Sequence, residues 1–192
     1  MKKLKYISLF PSIIFTVTIA YGQESSFEKV AKQYSLLVGY SDISKSTVDD
    51  IATSGYTIEF DYSWKLSGYN KKKSTYITFP IGYRSHHSQT LQNVNILYYG
   101  WIVRHNLRKD KIWMPYLSYS LLLNQVWYQN TYGNDMGHQT RFSFGFDRRL
   151  NDFSALTLAI NYSLIRFPGL GQNKSEKFTT ISLVAGYRFG KE

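Results

Sequence analysis

From Tyr34 onward, the chain is built of segments in which apolar and polar side chains alternate. In the clearest segment, residues 56–66, every even position is aliphatic or aromatic, and the odd positions are Thr57, Glu59, Asp61, Ser63 and Lys65. A period of two residues is typical of a β-strand with one apolar and one polar face. No stretch shows a comparable 3.6-residue period, so the pattern predicts an all-β protein.

Eight such segments can be delimited. They are Tyr34–Asp42, Tyr56–Leu66, Thr75–Arg84, Val94–His105, Trp113–Trp127, Arg141–Asp147, Leu156–Leu164 and Thr179–Phe189. Three are less regular, because apolar residues also occupy the polar face; these residues are Leu37, Ile96, Tyr98, Ile102 and Leu122. A tilted strand needs about 9–11 residues to cross a bilayer, and most of these segments are at least that long. Strands of soluble sheets are usually shorter, about 5–6 residues.

The two faces of these segments differ in a way that favours a membrane barrel over a soluble sandwich. One face is large, aliphatic and aromatic, whereas the other is mostly small or charged. A lipid-facing band around a polar interior has this composition, and single-chain bacterial barrels have an even number of strands. Closure of the sheet also removes exposed strand edges. We therefore predict an eight-stranded antiparallel up-and-down transmembrane β-barrel.

Connection lengths and aromatic residues indicate how the barrel is oriented. With a periplasmic N-terminus, the outer connections are 43–55, 85–93, 128–137 and 166–178, and the inner ones are 67–74, 106–112 and 149–152. The outer set is the longer, as is usual for outer-membrane barrels. Aromatic residues near the strand ends predict two interfacial girdles. These are Trp64, Trp113, Phe153 and Phe189 on the periplasmic side and Tyr83, Trp127 and Tyr128 on the outer side.

The N-terminus has the layout of a cleaved secretory signal peptide. A basic start, with Lys2, Lys3 and Lys5, precedes an apolar run that ends in Ala20-Tyr21-Gly22. Small residues at the −3 and −1 positions favour cleavage after Gly22. We therefore expect residues 1–22 to be the signal peptide and residues 23–192 to be the barrel domain. Cleavage would lower the formal charge from +10 to +7.

Composition narrows the chemistry. The 192 residues fit one domain, and the absence of cysteine excludes disulfides, thiolate zinc sites and cysteine nucleophiles. A mean hydropathy of −0.31 suggests a soluble protein, but a barrel strand places every second residue on a polar interior. The basic charge is concentrated in the short connections. Export and the absence of a recognition motif argue against nucleic acid as a partner. We expect no cofactor and no metal.

Charged residues recur on the face that would point into the lumen. They are Glu59, Asp61, Lys65, Arg84, Arg104, Arg141, Asp147 and Arg188. The interior of an eight-stranded barrel is only wide enough for side chains, and buried charges must be paired. The sequence therefore predicts a salt-bridge network that plugs the lumen. A narrow pore that prefers anions is the alternative, because basic groups outnumber acidic ones.

The closing segment Val184–Phe189 supplies a family resemblance. Together with the signal peptide and the eight strands, it resembles small outer-membrane β-barrels of the OmpA/OmpX-like type, and Tyr187 and Phe189 resemble their C-terminal β-signal. In that signal the aromatic residue is the last of the chain, whereas here three residues follow Phe189. The resemblance implies insertion by the barrel-assembly machinery into the cell outer membrane of a Gram-negative bacterium. We expect a monomer in contact with outer-membrane lipid, including lipopolysaccharide, with a structural or surface-interaction role.

An enzymatic alternative rests on the outer connections. His86, His87 and Ser88 lie where the third strand ends, and Asp135 lies near the start of the sixth. Histidine as base and serine as nucleophile are the components of an acyl-transfer site. The run His86-His87-Ser88 is similar to the His-x-Ser of the lipid A deacylases, with Gln89 in place of their asparagine. These residues are the catalytic candidates of a lipid A-modifying hydrolase or acyltransferase.

Overall fold

Eight strands make up the part of the chain that the computed structural model describes, which is residues 32–47, 51–66, 74–89, 91–108, 112–128, 134–168 and 175–191. The strands are β1 (Lys32–Ser46), β2 (Ser54–Leu66), β3 (Ser74–His86), β4 (Val94–Asn106), β5 (Trp113–Tyr128), β6 (Asn134–Asn151), β7 (Ser154–Phe167) and β8 (Glu176–Lys191). Each of the eight predicted segments forms one strand. The proposed signal peptide lies outside the described residues and stays a prediction.

The strands form one closed barrel in which each strand pairs antiparallel with its neighbour in the chain. The sheet closes between β1 and β8, with a register that runs from Lys32 opposite Lys191 to Ser46 opposite Phe178. The predicted fold class is confirmed. Among the described residues, no helix is long and apolar enough to cross a membrane.

The strands extend further at the outer end than the apolar alternation predicted. The sixth segment was expected at 141–147, but β6 spans Asn134–Asn151 because its pairing with β5 and β7 continues beyond the apolar residues. The outer connections therefore shorten to 47–53, 87–93, 129–133 and 168–175. The inner ones are 67–73, 107–112 and 152–153. The expected contrast between long and short connections was therefore too large, although the shortest turn does lie at the inner end.

The outer surface of the barrel is an apolar band. Its most exposed member is Leu121, at 70% of its maximal accessibility, and Ile81, Val38 and Phe142 each exceed 50%. These residues lie at alternate positions of their strands, while the intervening residues point into the barrel. An exposed apolar surface that surrounds the whole molecule is what a bilayer covers and water does not.

Apolar residues fill the outer half of the lumen. A buried cluster consists of Ile43, Ile51, Val94, Ile96, Val126, Ile165, Phe167 and Phe178, and Tyr128 packs against it. The segment 51–53 lies over this cluster, held by the Ile43 amide donating to the Thr53 carbonyl and the Ala52 amide donating to the Gln92 carbonyl, both at 2.8 Å. Tyr128 therefore points inward and is not part of the outer aromatic girdle.

Apolar filling of the lumen also explains the irregular segments of the sequence. Leu37, Ile96, Tyr98, Ile102 and Leu122 are all buried inside the barrel, with exposures of 0–6%. The interior is thus not uniformly polar, and apolar residues on the inward face serve as lumen filling.

Two glycines allow the strands to approach closely at the seam of the barrel. A Cβ atom at Gly39 would lie 2.0 Å from the Leu183 carbonyl oxygen, and one at Gly186 would lie 2.0 Å from that of Leu36. Both obstacles are backbone atoms, so they cannot turn aside as a side chain would. The curvature of the sheet between β8 and β1 therefore depends on these two residues.

Candidate functional site

Seven of the eight charged residues expected in the lumen are buried there. Glu59, Asp61, Arg84, Arg104, Arg141, Asp147 and Arg188 are each 1–4% exposed. Lys65, near the inner end of β2, is partly exposed. Their alternate positions on the strands place them on the inward face, and burial then requires that their charges be compensated.

The first ion pair joins β6 and β2 across the lumen. Arg141 donates through Nη1 to Glu59 Oε2 and through Nη2 to Glu59 Oε1, the latter at 3.1 Å. This two-pronged geometry matches the planar guanidinium to the carboxylate. The guanidinium of Arg84 lies 4.6 Å from the ring centre of Tyr98, and that of Arg141 lies 5.6 Å from it. Tyr98 therefore lies within cation–π distance of both guanidinium groups and interacts favourably with each.

The second cluster is centred on Asp147. Its Oδ2 accepts a hydrogen bond from Arg104 Nη2, and its Oδ1 accepts one from Thr157 Oγ1 at 2.7 Å. Arg188 Nε lies 3.6 Å from the same Oδ2. The guanidinium of Arg104 also lies 3.5 Å from the ring centre of Tyr116. Asp147 thus serves two arginines, which leaves this cluster with one more positive than negative charge.

Asp61 and Arg84 are buried charged residues that belong to neither of these two ion-pair clusters. Asp61 Oδ1 has no hydrogen-bond partner among the described residues. Arg84 donates to two hydroxyls, to Thr180 Oγ1 at 3.2 Å and to Ser163 Oγ at 3.5 Å. Among the described residues, no arginine lies at ion-pair distance from Asp61. These two side chains are polar members of the filling outside the two ion-pair clusters.

Little free space remains among these side chains. A cavity of about 20 Å³ lies between Glu59, Asp61, Arg104 and Arg188. That volume holds about one water molecule. With the apolar cluster above it, side chains occupy both the inner and the outer part of the described lumen.

The residues of the enzymatic alternative are not brought together. His86 points inward and is 0% exposed, with no hydrogen-bond partner for either ring nitrogen among the described residues. The amide of Ser88 donates to Asn93 Oδ1 at 2.8 Å, and its hydroxyl accepts from the Leu91 amide at 3.2 Å, as in a turn. Asp135 lies on β6, three strands from β3, which is about 14 Å at the usual strand spacing.

A serine–histidine contact that the sequence reasoning missed lies on the outward face of β3. Ser85 Oγ is 2.5 Å from His87 Nε2 and 2.6 Å from Asn95 Oδ1, and the Tyr83 hydroxyl donates to the same Asn95 oxygen at 2.7 Å. The period of two places Ser85 and His87 on one face, so the alternation of β3 could have revealed the pair. Ser85 is 0% exposed, so its hydroxyl is enclosed by these neighbours.

The residues that resemble a β-signal lie on the lipid-facing side of β8. Tyr187 and Phe189 are 43% and 44% exposed. Phe189 stacks on Tyr34 of β1, with ring centres 5.3 Å apart, so the segment also contributes to the seam.

The barrel is similar to solved structures at low sequence identity. Neisserial surface protein A matches with a TM-score of 0.64 and 11% identity over 83% of this chain and 97% of that one. Ail of Yersinia pestis has a TM-score of 0.48 and 14% identity, over 83% and 99% of the two chains. OprG of Pseudomonas aeruginosa has a TM-score of 0.47 and 12% identity, over 84% and 98%. No protein-family model and no curated protein matches the chain.

The chain has the fold of a small outer-membrane β-barrel. This confirms the resemblance drawn from the strand pattern, and the outer membrane is where barrels of this architecture reside. The fold alone does not specify an activity, because function depends on the sites that a fold carries.

The ion pair between Glu59 and Arg141 yields a stability prediction. Glu59→Gln leaves the Arg141 charge buried without its counter-ion, and removal of one partner of a buried pair costs about 3–5 kcal/mol. We expect the free energy of unfolding of the refolded barrel in detergent, measured by urea titration, to fall by that amount. The double variant E59Q/R141Q should recover most of the loss, because it removes both charges.

Asp42→Asn provides the control for this prediction. Asp42 is partly exposed at the outer rim, where Ser54 Oγ donates to it at 3.1 Å, and exposed charges contribute less than about 1 kcal/mol. An equal cost for D42N and E59Q, or a double variant no more stable than E59Q, would contradict the role of the buried pair.

Proposed function

We propose that the protein is an integral outer-membrane barrel with a structural or surface-interaction role, not a transport channel. The apolar band around the barrel is the observation that carries this proposal, because only a bilayer gives so many exposed large apolar residues a favourable environment. The barrel-assembly machinery would insert the chain as a monomer. Outer-membrane lipid, including lipopolysaccharide, would be its immediate partner.

The lumen supports a structural role over a pore. Two ion-pair clusters fill its inner part, and the apolar cluster below residues 51–53 fills its outer part. A conducting pathway would require a continuous polar channel. The interior of an eight-stranded barrel is just wide enough for its side chains, so little room for such a channel is left once they are packed. The interaction surface is therefore the outside of the barrel and its outer rim.

A charge on the apolar band distinguishes a membrane barrel from a soluble one. Leu121 lies midway along β5 and faces outward. An arginine at the bilayer midplane costs about 2–4 kcal/mol in a transmembrane barrel, whereas on a water-exposed surface Leu121→Arg should be nearly neutral. We expect the free energy of unfolding in phospholipid vesicles to fall by about 3 kcal/mol.

Ile112→Arg is the matched control, because Ile112 is 49% exposed and lies just beyond the inner end of β5. At the interface, the same substitution should cost at most about 1 kcal/mol.

The wild-type protein should require detergent for extraction and should migrate differently on gels when heated. Equal stability of L121R and wild type, or extraction without detergent, would contradict the proposal.

Lipid A acyl hydrolysis is a second candidate function, and the contact between Ser85 and His87 favours it. In that reaction, the Ser85 oxygen would attack the acyl carbonyl, His87 Nε2 would take the hydroxyl proton and return it to the departing sugar oxygen, and water would release the fatty acid. Asn95 and Tyr83 enclose the hydroxyl, which is the feature that argues against this reaction.

Mass spectrometry of lipid A decides between the two functions. Cells that express the wild type, S85A or H87A should show the same acyl pattern as cells without the protein if the role is structural. Loss of an acyl chain that requires both Ser85 and His87 would instead establish the enzyme. Asn95→Ala serves as a control for local structure, since it removes a neighbour of Ser85 but neither reacting group.

A further inference from the structure

The outward face of every strand changes from apolar to polar near its outer end. Going outward, the change occurs at Tyr56 to Ser54, Tyr83 to Ser85, Leu97 to Asn95, Leu123 to Gln125 and Leu164 to Arg166. On β1 the change occurs at Tyr40 to Asp42. On β6 and β8 a threonine intervenes before the polar residues His138 and Lys177. These positions trace the level at which hydrocarbon gives way to lipid headgroups.

The charge along this boundary is distributed unequally around the barrel. On β2–β5 the boundary residues are neutral, namely Ser54, Ser85, Asn95 and Gln125. On the adjacent strands β6, β7 and β8 they are His138, Arg166 and Lys177, all of them exposed. On β1 the first polar residue is Asp42, whose carboxylate accepts a hydrogen bond from Ser54 Oγ at 3.1 Å, and the exposed Lys45 lies just beyond it. We call His138, Arg166, Lys177 and Lys45 the basic row. This half of the outer boundary therefore carries the three basic groups Arg166, Lys177 and Lys45 against the single carboxylate of Asp42.

The register places the members of the basic row side by side. Arg166 pairs directly with His138 on one side and with Lys177 on the other. Lys45 pairs with Thr179, two residues along β8 from Lys177, and is therefore its diagonal neighbour. Directly paired side chains lie about 4.5–5.5 Å apart at Cβ, and like charges at that distance destabilise a sheet. An anion that lies across the row would reverse this repulsion.

The surface below the basic row suits acyl chains. Leu164 follows Arg166 toward the membrane centre, Ile181 follows Lys177 after Thr179, and Ile160 and Leu183 continue the face. These four apolar residues are exposed. Asp42 of β1, paired with Ile181, lies at the edge of this surface. A molecule that fits here has anionic groups at the boundary and hydrocarbon directly beneath them. That is the chemistry of a phosphorylated membrane lipid.

We propose that the basic row is a binding site for the phosphates of lipopolysaccharide in the outer leaflet. The row crosses four adjacent strands, a width of about 14 Å at the usual strand spacing, which exceeds the reach of one phosphate and suits a headgroup with several. The inference rests on the proposed function, since it requires the barrel to be embedded with this end outward. It deepens that function by assigning the lipid contact to one face, β6–β7–β8–β1.

The test is the thermal unfolding of the refolded protein in a neutral detergent, with and without purified lipopolysaccharide. Lipopolysaccharide should raise the wild-type unfolding midpoint, and R166Q/K177Q should lose most of that rise. Added salt should weaken the effect, because screening acts on exposed charges. R166K/K177R, which keeps both charges, should retain a substantial rise. Without lipid, R166Q/K177Q should unfold no earlier than wild type, because a like-charged pair has been removed.

Three comparisons make the test specific. K32Q/R108Q removes two exposed basic residues from the inner end and should respond to lipopolysaccharide as the wild type does. Dephosphorylated lipopolysaccharide should give little protection, and equal protection by phosphatidylglycerol would contradict a site for several phosphates. An equal rise for R166Q/K177Q and wild type would overturn the proposal. Heat-modifiable migration shows that each variant is folded, so this failure is distinguishable from failure of the barrel itself.

Discussion

Hydrogen bonding of the backbone is the constraint on which the rest of this structure depends. In hydrocarbon no water can satisfy an N–H or C=O group, so a sheet in a membrane must have no free edge. Here the condition is met by the pairing of β1 with β8, which runs nearly the full length of both strands. Gly39 and Gly186 allow the close backbone approach at this seam. Once the sheet is closed, alternate side chains must face lipid and lumen in turn.

The content of the lumen follows from closure with only eight strands. The interior is too narrow to hydrate the charges placed there, so they are compensated by one another. Arg141 with Glu59 joins β6 to β2 on the opposite side of the barrel, and Arg104 with Asp147 joins β4 to β6. Apolar side chains take over toward the outer end. The interior therefore works as a packed core, while the interactions available to other molecules are on the exterior and the outer rim.

The fold was readable from the sequence because the lipid-facing residues impose a strict period of two. The strand ends were harder to predict from the sequence. In β6, His138 and Thr140 replace apolar residues on the outward face, so the apolar alternation stops before the backbone pairing does. Apolar residues on the inward face, such as Leu122, were read as irregularities, although they fill the lumen. The alternation also predicts which charges face inward, but not which of them pair.

Which residues lie side by side at the outer boundary depends on the register between strands, and the sequence pattern does not give that register. Arg166 and Lys177 lie at the two ends of the predicted connection 166–178, so a hairpin brings them near each other, but only the register of β7 and β8 shows that they lie directly opposite each other. The contact between Ser85 and His87 was hidden for a different reason. His86 and His87 are adjacent in sequence, but their rings face opposite sides of the sheet, with His86 buried and His87 exposed.

Cross-linking across the seam tests the closed barrel most directly, and the absence of native cysteine makes it clean. Val38 and Ala185 are directly paired on the lipid-facing side, at a separation that suits a disulfide. On mild oxidation in membranes, V38C/A185C should form an intramolecular cross-link in nearly all molecules. V38C/L183C, displaced by one pleat repeat, should form little. Absence of the first cross-link, or cross-linking only between different chains, would contradict closure of the sheet between β1 and β8.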